Sequence, residues 1–242
     1  MNKYDTSSFI DQLKKFEIVL TDDQIDQFLK YYELLIDWNE RMNLTAITGY
    51  DEVITKHFVD SAALAGYITP KSGHSLIDVG TGAGFPGIPL KIIFPELKVV
   101  LLDSLNKRIN FLNEVIDTLG LKEIETIHSR AEDGARDPEL RECFDYAVSR
   151  AVANLSTLSE YCLPYVREGG IFVSYKSGDC GAEVKKASNA IQKLGAKTGG
   201  VTTFQLTLKN EVLDRSLIFI EKTGHTPGQY PRKAGVPVKK PL

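Results

Sequence analysis

Three cysteines, one tryptophan and two methionines are all that this 242-residue chain holds of its scarcest side chains. Cys143, Cys162 and Cys180 stand far apart, with no CxxC pair and no histidine at ligand spacing, which argues against a disulfide framework and against a structural zinc site. Buried or incidental thiols are expected, and no metal. No apolar run approaches the roughly 18 residues that a membrane span needs. The opening MNKYDTSSFIDQ also lacks the charged-then-apolar pattern of a secretory signal, so a cytoplasmic location without membrane attachment is expected. No GxxxxGK[ST] loop occurs, which speaks against a nucleoside triphosphatase. Internal repeats and low-complexity segments are absent too.

What the chain does have is 43% hydrophobic residues, enough for a large core, and a formal charge of -3 that is unevenly spread. Residues 1 to 60 carry twelve Asp/Glu against six Lys/Arg, whereas residues 222 to 242 carry five Lys/Arg and no acid. The net charge argues against coating nucleic acid by charge alone, but a local basic surface for a polyanion remains open.

Ile25, Phe28, Leu29, Tyr32, Leu35 and Ile36 recur at helical steps between Thr21 and Glu40, with a capping box from Thr21 to Gln24. Shorter helices are expected around Phe9 to Phe16 and Asp51 to Ala65, giving a helical cap over residues 1–70. After Pro70 short apolar runs alternate with helix-length segments, the pattern of a mostly parallel sheet covered by helices. Strands are expected at Ser75–Val79, Val99–Asp103, Ile124–His128, Tyr146–Ser149, Ile171–Tyr175, Thr202–Leu208 and Ser216–Glu221. The last two, separated only by 209–215, should pair antiparallel. The expected organisation is a cap (1–70), an α/β domain (71–223) and a basic tail (224–242).

The turn DVGTGAGFPG, Asp78 to Gly87, carries Gly80, Gly82 and Gly84 between a strand and a helix whose first turn suits Pro86. Glycines here let a ligand lie against the main chain. Their spacing also fits a dinucleotide, with Asp103 as the ribose acid, so a nicotinamide-dependent oxidoreductase is a rival reading. Asp78 favours the other: a carboxylate before the glycines would repel a pyrophosphate and attract the ammonium and sulfonium of S-adenosylmethionine. Asp103, followed by Ser104 at the end of the second strand, would bind both ribose hydroxyls or else cap the next helix. After the third strand, Ala131 and Glu132 are placed to meet an adenine.

The motifs WNERMNLTAIT (38–48), HFVDS (57–61), LIDVGTGAGFPGIPL (76–90), DSLNKR (103–108), SRAE (129–132), SRAVA (149–153) and YPRKAGVPVKKPL (230–242) stand in one order. Together they resemble, nearly end to end, the class I S-adenosylmethionine-dependent methyltransferases, with a Rossmann-like seven-stranded sheet and a helical N-terminal extension. Within that fold the resemblance is to the bacterial small-subunit ribosomal RNA methyltransferase G family, also called glucose-inhibited division protein B. It implies methylation of a guanine N7 in the decoding region of 16S ribosomal RNA, presented free, in a 30S subunit or in an assembly intermediate. It also implies that Gly80, Phe85, Asp103, Ala131 and Glu132 contact the donor and that Arg150 reaches it.

Guanine N7 offers a free lone pair, so no base is required, and the sequence shows no evident nucleophile and base pair. None of the cysteines follows a proline, against pyrimidine C5 chemistry, and SRAVANL replaces the [DNS]PP[FYW] segment used on exocyclic amines. Arg150 is the one candidate catalytic residue, as a positioning group or a structural ion pair. Asn39, Arg41, Asn43 and Thr45 are candidates for RNA contact or for closing a helix end. Arg232, Lys233, Lys239 and Lys240 would form a flexible cationic strap on phosphates, so removing 231–242 should weaken RNA binding more than donor binding. A monomer is expected. A non-catalytic RNA-binding or assembly factor is the third reading.

Overall fold

In the computed structural model, which describes residues 4–151 and 153–242, Thr21 closes the capping box expected of it. Its hydroxyl accepts from the Gln24 N–H, and the Gln24 side chain accepts from the Thr21 N–H. The long helix that follows, α2 (Asp22–Met42), is preceded by α1 (Ser7–Lys14). The third expected helix is broken into α3 (Tyr50–Val53), a π-helical stretch Ile54–Val59, α4 (Asp60–Ala62) and a 3₁₀ turn Ala63–Gly66. Wide π turns of this kind often occur at functional sites.

Seven strands make one sheet: β1 (Ser75–Val79), β2 (Lys98–Asp103), β3 (Ile124–His128), β4 (Phe144–Ser149), β5 (Val166–Ser177), β6 (Ala196–Leu208) and β7 (Glu211–Lys222). Their order is β3-β2-β1-β4-β5-β7-β6, parallel except where β7 pairs with β5 and β6. The connections are α5 (Gly87–Ile93), α6 (Asn106–Leu119), α7 (Ala131–Gly134), α8 (Leu155–Cys162) and α9 (Gly181–Lys193), and α10 (Val236–Lys239) lies near the C-terminus.

All seven expected strands form, β2 and β4 slightly longer than expected and the last three much longer. Most of 209–215, read as a polar loop, is strand, because β6 and β7 extend as a hairpin that turns on Lys209 and Asn210. Its residues are largely exposed, so their polar character marked solvent rather than a break. Pro86, expected in the first turn of α5, is its N-cap.

The pleat of β1 and β2 divides the core. Leu76, Val99 and Leu101 face a cluster with Phe9, Phe28, Tyr31 and Phe58, while Ile77, Val100 and Leu102 face another with Leu155, Leu158 and Ile191. The first seventy residues therefore share a core with one face of the sheet. At the other end of the chain, Tyr230 is buried in the second cluster. The sheet order reverses between β1 and β4, and at such a switch point the strand ends splay to leave a crevice.

Candidate functional site

The glycine turn leaves β1 at that crevice. Gly80, Gly82 and Gly84 have φ of 74°, 65° and 95°, the left-handed region that disfavours side chains. They fall into two kinds. A Cβ on Gly80 or Gly82 would stand in open space, whereas one on Gly84 would lie 2.5 Å from Ile88 and 2.6 Å from the Tyr31 hydroxyl. Gly87 is equally tight, with Leu101 at 2.4 Å. The first two glycines form an open cradle; Gly84 and Gly87 let α5 pack.

Asp78 is fixed inside the turn. It is fully buried, and its Oδ2 accepts from the Thr81 hydroxyl at 2.7 Å and the Gly87 N–H at 2.8 Å, which ties the two ends of the turn together. Burial pushes its carboxyl up to about 7, against the opposing effect of those hydrogen bonds. Its hydrogen bonds brace the turn that carries the cradle.

Beside the cradle lies a cleft of about 470 Å³, with Gly80, Asp103, Ser104, Ala131 and Glu132 in its lining. Five expected donor residues thus converge from three strand ends. Asp103 is already engaged: it accepts from the N–H groups of Gly82 and Leu105, each at 2.9 Å, and from Arg108 at 3.2 Å. Asp103 is not the cap of α6, whose N-cap is Leu105 without a side-chain cap bond; it closes the turn before that helix instead, and a ribose diol would share this carboxylate with Arg108. Glu132 is likewise partly used, accepting the Gly235 N–H at 3.0 Å. Gly235 and Val238 line the same cleft, a contribution from the chain end that sequence reasoning missed.

A smaller cleft of about 280 Å³ continues from Gly80 past Gly82, Phe85, Thr45, His57 and Arg150. Arg150 donates to Asp60 Oδ2 at 2.9 Å and to the Lys56 carbonyl at 3.0 Å, and its guanidinium stands 5.0 Å from the Phe85 ring centre. It is therefore both the structural ion pair and a cleft residue. Its Nη2 lies 3.2 Å from His57 Nδ1. Arginine only donates, so Nδ1 accepts and Nε2 carries the proton toward Thr45 Oγ1 at 2.9 Å. Burial first, and Arg150 second, hold His57 down at about 3, so the ring is neutral and both nitrogens are occupied. HFVDS carried the signal: His57 and Asp60, three residues apart, reach Arg150 from one helical turn.

The expected RNA residues separate. Thr45 lines the smaller cleft, whereas the Asn39 side chain accepts the Thr45 N–H at 2.8 Å and Asn43 is the left-handed C-cap of α2. Arg41 is exposed and pairs with Asp37. Lys233, Lys239 and Lys240 are exposed. Arg232 is not: it closes on the fully buried Glu160, donating through Nε at 2.9 Å and through its backbone N–H at 2.8 Å. Lys222, one of the five basic residues of 222–242 and the last of β7, is also buried, against Glu142 and two carbonyls. The tail is no loose strap. Arg141 donates to the carbonyls of Thr226 and Tyr230, Arg136 to that of Pro231, and Thr157 to that of Pro237.

Among the described residues no group of His, Cys, Asp and Glu is placed to hold a metal, and no helix is long and apolar enough to cross a membrane. Cys162 and Cys180 are buried and Cys143 is exposed, all three free.

Solved structures with this fold include the precorrin-6y C5,15-methyltransferase of Geobacter metallireducens, 12% identical with a TM-score of 0.51 over 67% of this chain and 87% of that one. TYW2 of M. jannaschii, solved in complex with AdoMet, is 15% identical with a TM-score of 0.54 over 68% of this chain and 76% of that one. Much nearer in sequence is the ribosomal RNA small subunit methyltransferase G of Lachnoclostridium phytofermentans, 53% identical over 98% of both chains. The Clostridium perfringens strain 13 protein of the same name is 50% identical over 91% of this chain and 92% of its own. The family model described as GidB, rRNA small subunit methyltransferase G, matches residues 24–213. This chain belongs to the rRNA small subunit methyltransferase G family.

Proposed function

We propose that this protein transfers the methyl group of S-adenosylmethionine to N7 of a guanine in 16S ribosomal RNA, in the cytoplasm, as a monomer. The residues fit the donor. The open Gly80–Gly82 cradle admits a ligand to main-chain contact, and the adjoining cleft offers Asp103 and Ser104 for ribose hydroxyls and has Ala131 and Glu132 in its lining for an adenine edge. When bound, the donor supplies an electrophilic methyl group on a sulfonium.

The observation that carries the ring-nitrogen reading is the state of the smaller cleft. Its imidazole, that of His57, is neutral, donates to Thr45, accepts from Arg150 and has no lone pair left for a substrate proton. Guanine N7 attacks without losing a proton, so that cleft has only to orient. Phe85, packed against the His57 ring at 4.8 Å and the Arg150 guanidinium at 5.0 Å, provides a wall for that purpose. Orientation alone supplies effective molarities up to about 10⁵ to 10⁸ M.

The test is incubation with methyl-labelled donor and small subunits, or their naked RNA, from a strain lacking the modification, followed by mapping of the labelled nucleotide. Label at one guanine N7 is expected. Label on another atom overturns the ring-nitrogen reading, and RNA binding without label leaves only a binding protein.

A further inference from the structure

A third cleft, of about 390 Å³, opens on the far side of Arg150 from the glycine turn. Arg150 stands just past the end of β4, Lys176 and Ser177 near the end of β5, and Arg215 on β7, where it pairs with Ser177. Asp60, at the start of α4, lies between the two arginines: its Oδ2 accepts from Arg150 at 2.9 Å and its Oδ1 from Arg215 Nε at 3.0 Å.

Charge does not balance here. Two guanidiniums, with side chains 19% and 18% exposed, share one carboxylate. Lys176 is cancelled by Glu183 at 2.8 Å, and His57, neutral, adds nothing. One positive charge is left over in a partly desolvated cleft, where an unmatched ion is costly and an incoming anion is favoured. The geometry also leaves donors: among the described residues, Arg215 Nη2 and Arg150 Nε have no hydrogen-bond partner. Ala151 borders all three clefts, so an anion here lies next to whatever enters the smaller one.

We propose that this cleft binds a backbone phosphate of the substrate RNA beside the nucleotide whose base enters the smaller cleft, with Arg215 as its principal ligand. The inference rests on the ribosomal RNA reading above. A guanidinium suits the site because it meets two phosphate oxygens at once. The donor's own carboxylate is the competing anion for Arg150, but Arg215 lines neither of the clefts next to the glycine cradle. Arg215 therefore separates the two ligands.

The experiment compares the wild type with Arg215→Ala and Arg215→Lys, after thermal unfolding has shown that each folds. It reads KM for small subunits in the labelled-methyl assay, direct RNA binding at several salt concentrations, and donor affinity by calorimetry. Arg215→Ala is expected to raise KM at least about tenfold, to lower the slope of log affinity against log salt by about one, and to leave donor affinity within about twofold. Arg215→Lys should recover part of the loss. An unchanged KM with normal methylation, or a matching loss of donor affinity, overturns the phosphate site. If the wild type binds RNA in an Arg215-dependent way but transfers no label, the transferase reading fails and the phosphate site stands; absence of both RNA binding and label overturns both.

Discussion

Arg232 and Glu160, fully buried on α8, form an ion pair that fastens the segment after Tyr230 beside the proposed donor cleft. From that anchor the chain runs to Gly235, whose N–H is held by Glu132, and to Val238, and both line the cleft. Cutting the chain after Tyr230 should therefore lower donor affinity as well as RNA affinity, contrary to the expectation for a loose strap. Arg232→Ala would leave Glu160 buried without its cation. It should cost about 3 kcal/mol, the low end of the range for breaking a buried pair, because Arg232 itself is partly exposed. Calorimetry with S-adenosylmethionine and thermal unfolding measure the two effects, and full donor affinity in the truncated protein would refute the anchoring role.

That relationship marks the limit of what the sequence made legible. The seven strands, the antiparallel last pair and the glycine turn could be read because each follows from local alternation or spacing, whereas the strand order and its switch point come only from the fold. Asp78 could be placed before the glycines, but its burial could not be read, since that depends on where α5 packs and not on neighbours in sequence. Arg232 looked like another free cation for the same reason: Glu160 lies 72 residues away, and no local pattern links them. Asp60, Arg150 and Arg215 likewise come from three distant segments, and only the fold brings them to one cleft.

Substituting the turn glycines should separate cradle from packing. Gly80→Ala meets no atom, so its cost should be the left-handed backbone alone, about 1–2 kcal/mol, while its methyl group projects into the donor cradle. Gly84→Ala adds a clash with Ile88 and Tyr31, worth roughly another 1–3 kcal/mol of overpacking. Urea unfolding should rank Gly84→Ala as clearly the less stable, and calorimetry should find donor binding severely weakened in a folded Gly80→Ala. Normal donor affinity in that variant would exclude the cradle.

Two buried groups should leave opposite marks on stability. Asp78 is raised from 3.8 to about 7, so the folded state holds a proton that the unfolded chain has lost; its stabilising effect is complete below about pH 4 and disappears as pH rises through 7. His57 is lowered from 6.5 to about 3, so its effect is complete above about pH 6.5 and disappears as pH falls toward 3. The stability difference between Asp78→Asn and the wild type should therefore shift in favour of the variant between pH 5 and pH 8. For His57→Gln it should shift in favour of the variant as pH falls from 7 to 4. Denaturant titrations across that range check both, and a pH-independent difference for either would contradict its assigned ionisation.

Lys233, Lys239 and Lys240 are the tail lysines, and they stay exposed while Arg232 is tied down. They flank the segment that closes the donor cleft, so RNA held by them would lie over the mouth of that cleft. Changing all three to glutamine should weaken binding to small subunits and flatten its salt dependence by up to about three in slope, roughly one for each phosphate no longer neutralised. Donor affinity and melting temperature should stay as in the wild type, because none of the three side chains supports the Glu160 anchor or the Glu132 hydrogen bond. This outcome, set beside the truncation that damages both affinities, would divide the tail into a backbone that builds the donor site and side chains that meet RNA. A salt slope unaltered by the triple substitution would remove the lysines from the interface.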